Sequence, residues 1–331
     1  MSRQPEGLGP AVDVSVVVPV YDEAEVLEEF AGRLRAVLDA PGAAQHVGSY
    51  EVLVVDDGSQ DRSPVVLARL RRDWPQLRVV RLRRNSGHQA ALSAGLALAR
   101  GTRGVLTMDA DLQDPPEVLP DLVWAAETNE VVYAVRGDRS SDSRFKRVSA
   151  EWFYRVLRSL GATLPAHAGD FRWMDRVVVD AVLALPEQHR VLRLVVPELG
   201  FRSGAVTYRR APRAAGRTKY PLHRMLRLSL DAITGSSTAP LRLATVFGLG
   251  GAAASFLLLV YALGSFALGA TVPGWTSTVT VVAGVGGLQL LCTGILGEYL
   301  GRLYVQAQNR PSYLVAADSL REQRTDPGPD H

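Results

Sequence analysis

One cysteine, Cys292, stands among 331 residues, so neither a disulfide framework nor a cysteine-based zinc site can be built. The six histidines show no paired metal-binding spacing. No Gly-x-Gly-x-x-Gly follows a strand-like run and no Gly-Lys-Ser/Thr loop occurs, which argues against dinucleotide oxidoreductases and P-loop NTPases. Met1 to Pro10 lacks the apolar centre of a signal peptide, and the sequence therefore predicts that nothing exports the first 240 residues. There is no internal repeat. The most extended absence is of charge: from Leu243 to Gly297 there is no Asp, Glu, Lys or Arg.

That uncharged run is too long for a single bilayer crossing, which takes about 20 apolar residues. The turn chemistry of Thr271-Val-Pro-Gly-Trp-Thr-Ser277 supplies a break, with Trp275 suited to a membrane interface. The expectation is a helical hairpin over about 243–269 and 277–300, the alternative being a buried hydrophobic hairpin in a soluble core. Arg224, Arg227 and Arg242 precede it, Arg302 and Arg310 follow it, and the turn carries neither Lys nor Arg. By the positive-inside rule both ends are expected on the cytoplasmic side of the cytoplasmic membrane.

What is present begins with a near balance of 37 Lys+Arg against 34 Asp+Glu, too even to announce a nucleic-acid partner. The charges are unevenly placed. Acidic residues gather in the first 130 positions, whereas Arg136 to Arg227 is arginine-rich and suited to phosphate. Short β-branched runs at Val12–Val18, Glu51–Val55, Arg78–Leu82, Gly104–Met108 and Glu130–Val135 alternate with helical patterns at Glu23–Leu38, Pro64–Arg72, His88–Arg100 and Glu117–Glu127. Such alternation predicts an α/β fold, a mostly parallel sheet with helices on both faces. A further helical pattern spans Ser143–Leu160, and Tyr220–Asp231 carries a mostly apolar stripe, read as an interfacial amphipathic helix. Polar residues after Ala317 predict a disordered tail.

In parallel sheets ligands bind beyond the carboxyl ends of the strands. Polar clusters stand at those ends here: Pro19 to Glu23, Asp56-Asp57-Gly58-Ser59, and Asp109-Ala110-Asp111. Two carboxylates at i and i+2 of an extended strand end point the same way and can share one hard cation, with substrate phosphates completing the shell. Taken alone, Asp109-x-Asp111 reads as a solvated turn or a helix cap, with Pro115 and Pro116 in the first turn beyond. Gly58 permits a tight turn that leaves a carboxylate able to accept from ribose hydroxyls or a base N–H, and an Asx turn explains the same residues. His88 reads as a packing or turn-capping residue.

Val16-Val-Val-Pro-Val-Tyr-Asp-Glu23, Val54-Val-Asp-Asp-Gly-Ser59, Asn85-Ser-Gly-His-Gln-Ala-Ala91 and Met108-Asp-Ala-Asp-Leu-Gln-Asp-Pro-Pro-Glu117 together resemble the successive motifs of family 2 glycosyltransferases with the GT-A fold. Arg213-Ala-Ala-Gly-Arg-Thr-Lys-Tyr220 and the hairpin ending Gly297-Glu-Tyr-Leu-Gly-Arg302 resemble the polyprenyl-phosphate glycosyltransferases, a group that includes dolichyl-phosphate mannose synthases and bacterial undecaprenyl-phosphate glucosyltransferases. The resemblance covers about residues 12–315. It implies a disordered stretch at 1–11, a cytoplasmic catalytic domain at 12–219, interfacial helices at 220–241, two transmembrane helices at 242–302 and a cytoplasmic tail at 303–331.

The same resemblance implies site roles. Pro19, Tyr21, Glu23, Asp56 and Asp57 would line the nucleoside pocket. Asp109, Ala110 and Asp111 would flank the sugar diphosphate, with Asp109 and Asp111 on Mg2+ or Mn2+ and Gln113 near the donor. Arg136, Arg139, Arg213 and Lys219 would meet phosphates, and Asp170 in Gly169-Asp-Phe-Arg172 would stand with Asp111 and Arg136 as catalytic. Asp22 departs from the asparagine usual after the tyrosine. The implied reaction is inverting transfer of a hexose from a nucleotide-sugar, UDP-glucose before GDP-mannose, to a polyprenyl phosphate at the bilayer, with a homotetramer as the implied assembly. Other expectations are an anchored family 2 transferase with another glycan acceptor, or an inactive nucleotide-binding membrane scaffold.

Overall fold

The valine-rich run of β1 (Val12–Val20) sends Val14, Val16, Val18 and Val20 to one core layer and Val17 to another, as the two-residue strand period requires. The computed structural model describes residues 10–41, 47–137, 169–187, 190–208, 274–308 and 310–320, with scattered residues between 244 and 268. After β1 come α1 (Leu27–Leu38), β2 (Tyr50–Asp56), α2 (Ser63–Asp73), β3 (Leu77–Leu82), α3 (His88–Leu98), β4 (Gly101–Thr107), α4 (Leu119–Ala125) and β5 (Val131–Arg136). These match the five strands and four helices expected from the sequence. The chain continues through β6 (Arg172–Asp175), α5 (Arg176–Ala184), α6 (Leu192–Glu198), β7 (Ser203–Tyr208), α7 (Trp275–Ala307) and β8 (Val315–Asp318).

The eight strands form one sheet in the order β7-β5-β6-β4-β1-β2-β3-β8. β4-β1-β2-β3 run parallel, β6 is antiparallel between β4 and β5, and β8 is antiparallel on the edge of β3. Helices cover both faces. α1 buries Leu27, Phe30, Ala31, Leu34 and Leu38, the one-sided stripe of an amphipathic helix, in the core layer that also holds Leu67, Trp74, Leu119, Leu122 and Trp173. On the other face Leu92 and Leu96 of α3 join Val178, Val179 and Val182 of α5 and Leu192. Each such side chain stabilises the fold by about 1.5–3 kcal/mol when fully buried.

Two sequence expectations change. The residues read as the start of a polar tail belong to the sheet, because Asp318 is 4% exposed and takes a bidentate contact from buried Arg78 at 3.0 and 2.7 Å. The expected pair of membrane-crossing helices is not found: among the described residues no helix is long and apolar enough to cross a membrane. The first half of that hairpin lies largely outside the described residues. The second half is α7, which runs on to Ala307 rather than stopping near residue 300. The expected helices over 143–160 and 220–231 also lie outside the described residues.

Candidate active site

Three loops at the carboxyl end of the parallel strands are tied to one another before any ligand is considered. Asp22, following β1, adopts a left-handed φ of 53°, a conformation that Asp and Asn tolerate better than other side-chain residues. Its Oδ1 accepts the Gln60 N–H at 2.8 Å, and its own N–H donates to Ser59 Oγ at 3.1 Å. The departure from asparagine is therefore accommodated by the same turn. After β2, Gly58 takes φ 73°, and a Cβ there would lie 2.7 Å from the Arg84 carbonyl carbon. Asp57 accepts the N–H groups of Ser86 and Gly87 at 2.7 and 2.8 Å, joining the β2 loop to the start of α3.

These ties surround a cleft of about 270 Å3 lined by Pro19, Val20, Tyr21, Glu23, Asp57, Asn85, Gly87, His88, Ala91, Asp109, Ala110 and Asp111. Of the residues expected in the donor pocket, Pro19, Tyr21, Glu23, Asp57, Asp109, Ala110 and Asp111 meet here. Asp56 does not line it. It is 1% exposed, accepts the Ser59 N–H at 2.8 Å and pairs with Arg81 at 3.3 Å, so it shapes the Gly58 turn from beneath. Gln113 is likewise withdrawn, at 4% exposure, with its N–H donating to Asp111 Oδ1 at 3.0 Å. Arg136 ends β5, paired in register with Tyr208 of β7 and hydrogen-bonded to its phenol. Arg139, Arg213 and Lys219 lie outside the described residues.

Asp170 reaches the site through β6, whose antiparallel pairing sets Arg172 opposite Thr107 at the end of β4. Thr107 Oγ1 donates to the Asp170 carbonyl at 2.5 Å, bringing Asp170 next to Asp109. The Asp170 carboxylate receives Arg172 at 2.8 Å, Arg193 at 2.9 Å, and Gln89 and His88 Nε2 at 3.2 Å. Burial opposes its ionisation, but His88, Arg172 and Arg193 outweigh burial and hold the carboxyl far below the ordinary range. A carboxylate so occupied is a poor proton acceptor. His88 Nε2 also lies 3.7 Å from Asp109 Oδ1. Burial disfavours its charged form, yet the Asp170 hydrogen bond and the charges of Asp109 and Asp170 raise its pKa above that of a free imidazole.

Asp109 behaves oppositely: burial pushes it up to about 6, His88 counters, and Asp114, Asp170 and Asp111 add to the rise. A divalent cation between Asp109 and Asp111 would relieve that crowding of negative charge. Among the described residues no group of three or more His, Cys, Asp or Glu is arranged to hold a metal ion. Two carboxylates suit an ion such as Mg2+ or Mn2+ whose remaining ligands are water and substrate phosphate, so the residues fit the expected cofactor.

Linear spacing does not mark His88, Gln89, Arg172 or Arg193, all of which contact Asp170. His88 turns to Asp170 from the first residue of α3, and is not explained as a cap of the Asn85 turn. Nothing in linear spacing marks Arg193, since it meets Asp170 only because β6 inserts between β4 and β5.

Comparison with known proteins follows the same ground. Residues 15–183 match the family described as glycosyl transferase family 2. The uncharacterized glycosyltransferase YkcC of Bacillus subtilis (strain 168) is 41% identical over 92% of this chain and 93% of its own length. The SfII prophage-derived bactoprenol glucosyl transferase of Shigella flexneri is 37% identical over 91% of this chain and 97% of its own. Among solved structures, glucosyl-3-phosphoglycerate synthase from Mycobacterium tuberculosis, in a complex with Mn2+, UDP and glucosyl-3-phosphoglycerate, aligns at a TM-score of 0.48 and 22% identity. That alignment covers 67% of this chain and 78% of the synthase.

Proposed function

Because this chain belongs to glycosyl transferase family 2 and is a hexosyltransferase, we propose that it moves glucose from UDP-glucose to a polyprenyl phosphate, with inversion at the anomeric carbon. The observation that carries this reading is the meeting of Asp109, Asp111 and His88 in one cleft, with His88 tied to an Asp170 that Arg193 also contacts. The likeness to the bactoprenol glucosyl transferase over nearly its whole length supports the choice of acceptor and sugar.

Tyr21, Glu23 and Asp57 would hold the nucleoside end of the donor, and Asp109 and Asp111 the diphosphate end with a divalent cation. Bound there, the cation would neutralise charge building on the departing diphosphate. Arg136, with Arg139, Arg213 and Lys219, would orient donor and acceptor phosphates. An acceptor phosphate oxygen forms the new bond to the anomeric carbon while the bond to the β-phosphate oxygen breaks, its electron pair leaving with UDP. The nucleophile is already anionic, so no proton need be removed. Asp170 then serves by fixing His88 and Arg193 at the reacting centre, in keeping with its saturated carboxylate.

We place the reaction at the cytoplasmic face of the cytoplasmic membrane. The run 243–297 carries no charge, and Leu290, Leu291, Leu296, Leu300 and Leu303 of α7 are exposed, an apolar set suited to lipid. The test incubates the full chain in detergent with radiolabelled UDP-glucose, Mn2+ and undecaprenyl phosphate. Label should pass into organic solvent as a β-linked glucosyl phosphate. Label left in water, α-linked product, or preference for GDP-mannose would overturn the corresponding part of the proposal.

A further inference from the structure

The acidic loop after β4 turns through Leu112, which has φ 59° although it is neither glycine nor asparagine. A branched apolar side chain in the left-handed region is strained, and such strain persists only where the surroundings over-determine it. Here the Leu112 side chain is 4% exposed within the core, and the chain two residues on is anchored. The Tyr208 hydroxyl donates to Asp114 Oδ1, and both residues are buried. Arg136 is hydrogen-bonded to the same phenol. The Tyr208 ring meets Phe171 edge-on, with centroids 5.8 Å apart and planes at 74°. Tyr208 therefore touches the acidic loop, the end of β5 and the residue following Asp170.

We propose that Asp114 and Tyr208 are positioning residues: their hydrogen bond holds the strained Leu112 turn and thereby aims Asp109 and Asp111 at the diphosphate and its divalent ion. The Asp114 carboxylate accepts from a tyrosine 94 positions away in sequence. Tyr208 is also the last residue of β7, so the same bond ties the end of that strand to the acidic loop. This inference rests on the reading of Asp109 and Asp111 as ligands of the diphosphate and cation.

Tyr208→Phe keeps the ring against Phe171 and removes only the hydroxyl. Binding of Mn2+ to the full chain in saturating UDP, followed by loss of the free-ion electron paramagnetic resonance signal, should weaken about tenfold or more, the usual effect of removing a group that orients metal ligands. Asp114→Ala should do the same, and Asp114→Asn, whose amide oxygen still accepts from the phenol, should retain most of the affinity. Thermal melting of each variant separates folding from aim. Unchanged Mn2+ affinity in Tyr208→Phe, or a lowered melting temperature as its sole effect, overturns the proposal. Asp111→Asn is the control: if it too leaves Mn2+ binding unchanged, the failure lies in the assignment of the cation site, whereas a defect in Asp111→Asn alone refutes the latch.

Discussion

Two arginines grip the Asp170 carboxylate, and their surroundings assign them different work. Arg172 is fully buried, donates also to the Leu192 carbonyl at 3.0 Å and lies 5.7 Å from the centre of the Tyr133 ring. Arg193 has 54% of its side chain exposed and faces the site from α6. Removing Arg172 leaves a buried carboxylate short of its main counter-charge, so Arg172→Met should cost about 3–5 kcal/mol of stability, read as a lower urea midpoint. Arg193→Met should leave that midpoint nearly unchanged while lowering kcat/KM by about ten- to a hundredfold, the worth of a hydrogen bond to a charged group. Equal losses of stability in both variants would place Arg193 in the framework. The sequence disclosed the acidic half of this site, because Asp57, Asp109 and Asp111 follow strands directly. The parts played by His88 and Arg193 were hidden, since both acquire them from β6 crossing between β4 and β5.

At the level of elements, what could be read in advance was whatever announces itself by period. β1 to β5 are six to nine residues of alternating or continuous apolar chain bounded by turns, and α1 carries a clean apolar stripe. β6 and β8, at four residues each, are too short for a period to show, and β7 alternates without a buried face until Tyr208. β8 is held by chemistry instead. Arg78, 3% exposed, grips Asp318 and lies 3.7 Å from Glu51, which in turn accepts from Arg100 at 2.7 Å and from Ser15 at 2.6 Å. Asp318→Ala would leave Arg78 with less compensation in a dry site, at a cost of about 3–5 kcal/mol. Hydrogen exchange should speed up in β3 before β1 or β4. Uniform acceleration across the sheet would mean that β8 is not a separable lock.

At the scale of the whole molecule, the chain leaves the α/β sheet after β7, supplies the apolar stretch that contains α7, and returns to the sheet as β8. This topology sets how the catalytic part can be freed from its apolar segment. A chain ended at residue 219 loses β8, so it uncovers the β3 edge and leaves Arg78 without Asp318. An unpaired edge of that kind recruits other strands and aggregates. A chain in which residues 243–307 are replaced by a long glycine-serine linker keeps Pro311 to Ser319 and can still pair β8 with β3, at a loop-closure cost that grows only slowly with length. The linker form is expected to stay monodisperse without detergent and to bind UDP with Mn2+, while the shortened form precipitates or melts at a lower temperature. With the apolar surface removed, the linker form should glucosylate a short water-soluble prenyl phosphate yet lose its advantage toward a long polyprenyl phosphate in vesicles. Undiminished preference for the vesicle-borne acceptor would show that lipid is found by the α/β unit itself, independently of the segment between β7 and β8.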